Sequence, residues 1–199
     1  MPVSAQDVKE LRERTGAGLM DCKRALEEAA GDQAKAQMLL REKGLAKARE
    51  KSSRQTAEGV IVSYIHGGGR IGVLLELACE TDFVARNEDF RWLANELAMQ
   101  VAAMDPLAVS PQDLPAQAVE AEKGLYRRQA ADKPPQVQDR IVDGKLEKYY
   151  EQVCLLRQPY IRDDSRCVGE VIKDMIAKLG ENIEVKRFVR MELGRGSTC

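Results

Sequence analysis

The chain has 199 residues, of which 44% are hydrophobic and 32% charged, and its formal net charge at neutral pH is -1. This length allows one large domain or two small ones, and the composition is typical of a globular protein with a strongly charged surface. A protein whose main task is to coat nucleic acid would carry a clear excess of basic residues. We therefore expect no direct contact with nucleic acid.

Five cysteines are scattered along the chain without any C-x-x-C spacing, which indicates neither a zinc site nor a disulfide framework. The first residues, MPVSAQDVKEL, show no basic segment followed by an apolar one, so no secretory signal is expected. No apolar run approaches the roughly 20 residues that a membrane helix needs. The sequence therefore predicts a cytoplasmic protein without membrane contact, whose thiols stay reduced.

Residues 1–44 have the pattern of three short helices. Ser4 is a candidate cap for the first helix, and the glycine-containing stretch 15–18 ends it. A second helix is predicted over residues 19–30, and Asp32 can cap a third helix that ends at Gly44. Three such helices predict a small bundle that is marginally stable alone.

The stretch LAKAREKSSRQTAE, residues 45–58, is basic and polar and has no strong apolar face. We interpret it as a linker or an exposed helical extension. A solvated connector is one reading of its charges, and a segment that contacts phosphates or a partner is the other.

From Gly59 the hydrophobic pattern changes to a period of two. GVIVSYI and IGVLLELACE flank HGGGR and predict a β-hairpin, and IEVKRFVRMEL at 183–193 predicts a third strand. In that strand the odd-numbered apolar residues alternate with charged ones, which suits a sheet with one wet face. Residues 59–194 therefore form the predicted core domain, and residues 195–199 a tail.

Between the hairpin and the last strand the pattern is mostly helical. Asn87 can cap a helix that ends near residue 105, and shorter helices are expected after residues 110 and 115. An amphipathic stretch follows the two prolines at 134–135, with an interruption at Gly144, and a final helix covers about 167–179. The predicted fold class is α+β, with a small three-stranded antiparallel sheet covered by helices.

Enzyme chemistry finds little support in the sequence. His66 is the single histidine and lies in a glycine-rich turn without a nearby cysteine, so no Ser-His-Asp or Cys-His arrangement can be built. The glycines at 67–69 are followed by Arg70 and a strand, whereas a phosphate-binding loop needs Lys-Ser/Thr and a helix. We expect no catalytic residue, no cofactor and no metal site.

Two stretches are better explained by binding to another protein. Arg12, Met20 and Lys23 border the TGAG turn, where Met20 either projects beside the loop or packs in the small core. In CETDFVARNEDF, residues 79–90, a carboxylate stands beside a large aromatic ring where the chain changes direction. Such a pair is suited neither to a buried corner nor to an ordinary solvated loop, which favours insertion into a partner.

Several stretches in this order resemble the elongation factor Ts family. LRERTGAGLMDCKRAL at 11–26 is similar to its first signature, CETDFVARNEDF to its second, and AKLGENIEVKRFVRMELG at 177–194 to its closing strand. The resemblance covers nearly the whole chain. It implies a guanine-nucleotide exchange factor for the translational GTPase elongation factor Tu, with a ubiquitin-associated-like three-helix bundle over residues 1–44.

The resemblance also implies roles for individual residues. Thr81, Asp82, Phe83 and Val84 match the motif that is inserted near the Mg²⁺ site of the GTPase to promote GDP release. Only one hairpin-sheet unit can be recognised here, as in the shorter family members, so a homodimer is expected. The partner would be elongation factor Tu in its GDP-bound and nucleotide-free forms, and no covalent bond would be made or broken.

One alternative of a different class stays open. A non-enzymatic helical adaptor could bind a partner through residues 1–44 and use the remainder as a scaffold. An RNA-associated version of that scaffold would depend on the basic residues Lys47, Arg49, Lys51 and Arg54.

Overall fold

A computed structural model describes residues 3–195 of the protein, with the exception of the side chains of Leu45 and Lys47. The predicted tail beyond residue 195, including Cys199, lies outside the described residues. The helices are α1 (Ala5–Thr15), α2 (Leu19–Glu28), α3 (Gln33–Lys51), α4 (Asp82–Ala85), α5 (Glu88–Met104), α6 (Ala116–Gln129), α7 (Pro135–Val153) and α8 (Val168–Leu179). The strands are β1 (Glu58–His66), β2 (Ile71–Cys79), β3 (Pro159–Tyr160), β4 (Asp163–Cys167) and β5 (Ile183–Glu192).

The first three helices form the predicted bundle. Ser4 caps α1 in a capping box with Asp7, and the Asp32 side chain accepts from Lys35 N at the start of α3. Gly16 ends α1 with a φ of 66°, a conformation that glycine adopts without strain. The buried core of the bundle consists of Val8, Leu11, Cys22, Ala25, Leu26, Ala29 and Ala36.

The predicted end of the third helix at Gly44 is wrong, because α3 continues to Lys51. Gly44 is buried within the helix, and a Cβ atom at this position would lie 3.1 Å from the Cβ of Ala177 on α8. The glycine therefore permits a close approach of two helices and does not end one. Of the two interpretations of residues 45–58, the helical extension describes the part up to Lys51.

The main sheet has three strands in the order β1-β2-β5, which confirms the predicted α+β class with an antiparallel sheet. Its central strand β2 buries Val73, Leu75, Leu77 and Cys79, as the alternation predicted. Helix α5 lies beside β5, since Arg190 Nε donates to Ala102 O at 3.3 Å. The interruption predicted at Gly144 is absent, because α7 runs through this position.

Strand β5 does not keep one face inward along its length. Ile183 and Val185 are buried, but Val189 and Met191 are 56% and 70% exposed, although all four share the same parity. Two successive exposed residues, at 186 and 187, mark the point where the facing changes. A shift of one residue turns every following side chain to the other face of a sheet. The expectation that one set of apolar residues faces the core throughout is therefore wrong.

A second, two-stranded sheet of β3 and β4 was not predicted, because the acidic pair at 163–164 resembles a turn. It is held to α5 by polar side chains. The carboxylate of Glu96, which is only 6% exposed, accepts from Tyr160 Oη at 2.6 Å and from Arg162 Nε at 3.0 Å. Gln100 Oε1 accepts from Ile161 N at 2.9 Å. These bonds anchor a hairpin that has few apolar residues of its own.

The chain divides into two compact units. One comprises the chain up to Val60 with Ala78–Leu93 and Ile172–Glu184, and the other comprises Ile61–Leu77, Ala94–Val171 and the chain from Val185. The predicted division into a domain at 1–44, an extension at 45–58 and a core at 59–194 stays a prediction.

Candidate partner-binding site

The segment 80–86, which we call the tip, connects β2 to α5. It contains the four-residue helix α4, and Asn87 then caps α5, with Asn87 Oδ1 accepting from Asp89 N at 2.8 Å. Within the tip the side chain of Phe83 is 79% exposed, more than any other large apolar side chain that the structure describes. The segment is thus a short connector whose aromatic ring is directed to solvent.

The four residues of the predicted site have different environments. Val84 is 5% exposed and faces inward, whereas Asp82 and Phe83 are exposed. Thr81 caps α4, its hydroxyl accepting from Val84 N at 3.4 Å. The structure therefore leaves Asp82 and Phe83 accessible to a partner, while Thr81 and Val84 fix the segment that carries them.

The exposed carboxylate of the tip has a local partner. Arg86 Nη2 lies 2.9 Å from Asp82 Oδ2, and both side chains are largely exposed. Exposed pairs of this kind contribute only about 0–1 kcal/mol. Asp82 can therefore exchange this arginine for a group on another protein at little cost.

The base of the tip is held by residues on other parts of the chain. Glu181, between α8 and β5, accepts from Thr81 Oγ1 at 2.6 Å and from Thr81 N at 3.0 Å. At the end of β2, Cys79 Sγ donates to Thr81 O at 3.2 Å. Burial, followed by the negative charge of Glu181, raises the pKa of the Cys79 thiol to about 11, so it remains a donor at neutral pH.

Glu181 was not among the predicted site residues. It stands 100 residues from Thr81 along the chain, and a single glutamate in GEN carries no local signal for such a contact. It lies within the stretch 177–194 that resembles the family's closing strand, and its position in a loop directly before that strand is the local feature that could have suggested a structural role.

A second exposed surface lies on the three-helix bundle. Met20 is 61% exposed, so the alternative that it packs in the core is wrong. Leu19 beside it is 54% exposed, although its spacing of three from the buried Cys22 predicts a place on the core face. Arg12 and Lys23 are also exposed, and Lys23 Nζ lies 3.8 Å from Glu27 Oε1. Leu19 was missed because a residue in the first turn of a helix has few neighbours to cover it.

The face of the main sheet opposite to the buried side chains of β2 was expected to be polar, but it carries exposed apolar side chains. Six large apolar side chains on β1, β2 and the end of β5 are between 53% and 70% exposed: Ile61, Ile65, Leu74, Val189, Met191 and Leu193. We call this set the outer sheet face. An ion pair of Arg187 and Glu76, at 2.7 Å, lies on the same strands. A contiguous apolar patch of this kind marks an interaction surface.

Within residues 3–195, no group of three or more His, Cys, Asp or Glu side chains is arranged to hold a metal ion. The described helices include none with both the length and the hydrophobicity of a membrane span.

Comparison of the sequence with known proteins shows its family. The family model described as Elongation factor TS matches residues 7–195. The chain belongs to the elongation factor Ts family. Elongation factor Ts of Thermotoga petrophila is 57% identical over 98% of both chains, and that of Fervidobacterium nodosum is 56% identical over 98% of this chain and all of its own. The protein of the same name from Desulforamulus reducens is 56% identical over 98% of this chain and 90% of its own.

Family membership confirms the resemblance seen in the sequence signatures, and the matched range includes the bundle, the tip and the closing strand. It identifies the protein as a translation elongation factor.

Proposed function

We propose that this protein binds the GDP-bound form of elongation factor Tu and accelerates the release of GDP by disturbing the site that holds Mg²⁺ and the nucleotide. The observation that carries the proposal is the presentation of Phe83. An aromatic ring that is 79% exposed on a short helix gives the free protein little stability and is available to a partner.

Insertion of the ring would supply the energy for the disturbance. Full burial of a phenylalanine side chain yields about 1.5–3 kcal/mol, and most of that is still available here because the ring is exposed. This energy can offset a displacement of the partner's helices by about an ångström, since close-packed interiors resist such shifts only by a few kcal/mol.

A small displacement has a large effect on a magnesium site. Mg²⁺ requires nearly ideal octahedral oxygen geometry and bridges protein to phosphate. A shifted ligand weakens the binding of Mg²⁺. Once the ion is lost, its positive charge no longer compensates the phosphates of GDP, and the nucleotide binds less tightly. We assign Phe83 as the wedge and Asp82 as its polar companion, which would exchange Arg86 for a group near the partner's metal.

Thermodynamic linkage determines how tightly the factor binds elongation factor Tu after GDP has left. A factor that weakens the binding of GDP must itself bind the nucleotide-free partner more tightly than the GDP form, by the same free energy. GTP binding then reverses the change and releases the factor. This scheme needs no covalent chemistry, no cofactor and no direct contact with nucleic acid, and we place it in the cytoplasm.

The bundle supplies a second contact in this proposal. Met20, with Arg12 and Lys23 beside it, would bind the GTPase domain of the partner. A thioether that is 61% exposed adapts to an irregular apolar surface, and the two cations can pair with acidic groups at its rim.

We also propose that the protein acts as a homodimer through the outer sheet face. A second copy offers the same apolar patch, and a two-fold axis lets the patch cover itself. Dimerisation through a face would remove from water the large apolar side chains that the monomer exposes.

Release of a fluorescent GDP analogue from loaded elongation factor Tu tests the exchange function. Catalytic amounts of the protein should accelerate release, and Asp82→Ala combined with Phe83→Ala should reduce the rate severely without changing the melting temperature. Leu107→Ala, which removes a side chain that is 64% exposed on a different segment, is the matched control. Exchange by the double variant at the wild-type rate would refute insertion, and no acceleration by the wild-type protein would refute the function.

A further inference from the structure

The Glu181 side chain accepts three hydrogen bonds from residues at the start of the tip. Its Oε2 atom accepts from two successive backbone amides, Glu80 N at 3.1 Å and Thr81 N at 3.0 Å. Its Oε1 atom accepts from Thr81 Oγ1 at 2.6 Å. Hydrogen bonds that a charged carboxylate accepts are about twice as strong as neutral ones. One side chain thus binds three donors at the start of the tip.

The connection is reciprocal. Glu80 Oε1 accepts from Asn182 N at 2.7 Å, so the segment 80–81 and the segment 181–182 each give a carboxylate to the backbone of the other. Asn182 Nδ2 in turn donates to Arg54 O at 2.9 Å, just beyond the end of α3. The two segments are therefore fixed to each other and to the chain that follows the bundle.

Apart from these bonds, the tip is held mainly by the burial of Val84 and Ala85, which are 5% and 7% exposed. Helix α4 has only four residues, and its first-turn bonds, Ala85 N to Thr81 O and Arg86 N to Asp82 O, are both 3.2 Å long. A helix of this length does not persist without external support. Phe83 is too exposed for its ring to be positioned by packing. The direction of the ring thus depends on the inward packing of Val84 and Ala85 and on Thr81, which Glu181 holds by both its amide and its hydroxyl.

We propose that Glu181 is a positioning residue that holds Asp82 and Phe83 in the orientation needed for insertion into the partner, an inference that rests on the proposed exchange function. Glu181 does not itself reach the partner in this scheme. It acts through Thr81, so its loss should leave binding by the bundle intact and impair the step in which the ring displaces the metal site.

The variants are chosen to separate positioning from general stability. Glu181→Ala removes all three acceptor contacts. Glu181→Gln keeps the length and can keep all three contacts, with its oxygen accepting from the two amides and its NH2 group donating to Thr81 Oγ1, but it loses the charge, so an intermediate effect is expected. Glu184→Ala is the matched control, since Glu184 accepts from Thr56 Oγ1 at 3.1 Å on the nearby strand.

The first measurement is exchange kinetics over a range of factor concentrations. A misplacement of about an ångström in a positioned group costs up to about 100-fold in rate. We expect Glu181→Ala to lower the maximal rate of GDP release by about 10- to 100-fold, with the half-saturating concentration changed much less. Glu184→Ala should exchange at the wild-type rate.

The second measurement does not need the partner. The chain contains three phenylalanines, Phe83, Phe90 and Phe188, so labelling with fluorinated phenylalanine gives three NMR signals. Phe90 is fully buried and reports on the fold, whereas Phe83 reports on the tip. Glu181→Ala should shift or broaden the Phe83 signal and leave the Phe90 signal in place.

The two measurements together decide the inference. A lower maximal rate with a changed Phe83 signal and an unchanged Phe90 signal supports it. A wild-type rate in Glu181→Ala overturns it, and so does a rate loss in which Phe83 is unchanged or Phe90 moves as well. If the wild-type protein fails to accelerate GDP release, the exchange function falls, while the fluorine signals still show whether Glu181 orients the tip.

Discussion

The outer sheet face offers a direct test of self-association. We expect Val189→Lys, which places a charge in the middle of this face, to convert a dimer into a monomer. Full burial of an Ile, Leu, Val or Met side chain yields about 1.5–3 kcal/mol. The six residues are 53–70% exposed, so each would still gain about 1–2 kcal/mol on burial, once in each subunit. The gross gain is about 12–24 kcal/mol for the dimer.

Association has costs that reduce this gain. Lost translational and rotational freedom takes about 4–15 kcal/mol, and ordering of side chains takes more. A net gain near 8 kcal/mol, which corresponds to about 1 µM, lies within the remaining range. Val189→Lys would bury an unpaired ammonium in each subunit at a cost of several kcal/mol per ion. A loss of only about 4 kcal/mol already weakens dimerisation about a thousandfold.

Sedimentation velocity over a wide range of protein concentrations measures this shift. Val137→Lys is the matched control, because Val137 is 42% exposed on α7 and does not belong to the outer sheet face. The wild-type protein and the control should sediment as dimers and Val189→Lys as a monomer. The reasoning fails if the wild-type protein is monomeric at the highest concentration or if Val189→Lys dimerises normally.

Two further predictions concern the bundle and the small sheet. Met20→Ala should weaken binding to elongation factor Tu in a calorimetric titration without lowering the melting temperature. The control Met38→Ala, at a position that is 65% exposed, should change neither the affinity nor the melting temperature. Equal effects of the two substitutions would contradict the assigned surface. Burial alone would raise the pKa of Glu96, but hydrogen bonds from Arg162 and Tyr160 outweigh it and hold that pKa below its usual value. The ionised Glu96 therefore stabilises the fold above the ordinary glutamate pKa, and this contribution is lost as the pH falls through the lowered one. Urea unfolding from pH 7 downward should show that loss in the wild-type protein and much less of it in Glu96→Gln; identical pH profiles would exclude the assignment.

Local patterns were sufficient for most helix and strand positions. Ser4, Asp32 and Asn87 cap the helices they were expected to cap, because a short polar side chain before an apolar repeat satisfies free backbone amides in a way that depends only on nearby residues. The same locality explains the hairpin around the glycines at 67–69.

The errors arise where a distant element decides the outcome. Gly44 was interpreted as a helix end, but its small size serves a contact with Ala177, which is far away in sequence. The change of facing within β5 coincides with two successive charged residues, Lys186 and Arg187, and two successive apolar ones, Phe188 and Val189, a local break that the period-two interpretation passed over. Propensity and periodicity describe single elements, and tertiary contacts can override both.

The candidate site shows the same limit in a sharper form. The sequence identified CETDFVARNEDF and placed an acid and a ring at a change of direction, but the pattern assigned all four residues of TDFV to one role. Burial and hydrogen bonding separate them: Val84 is buried and anchors the segment, the exposed Thr81 is bound by Glu181, and Asp82 and Phe83 remain accessible. The contact of Glu181 with Thr81 is visible only in the structure, where 80–81 and 181–182 each provide a carboxylate to the backbone of the other. The proposed wedge must be both exposed and rigidly directed, and we infer that the second property comes from Glu181, which lies outside CETDFVARNEDF.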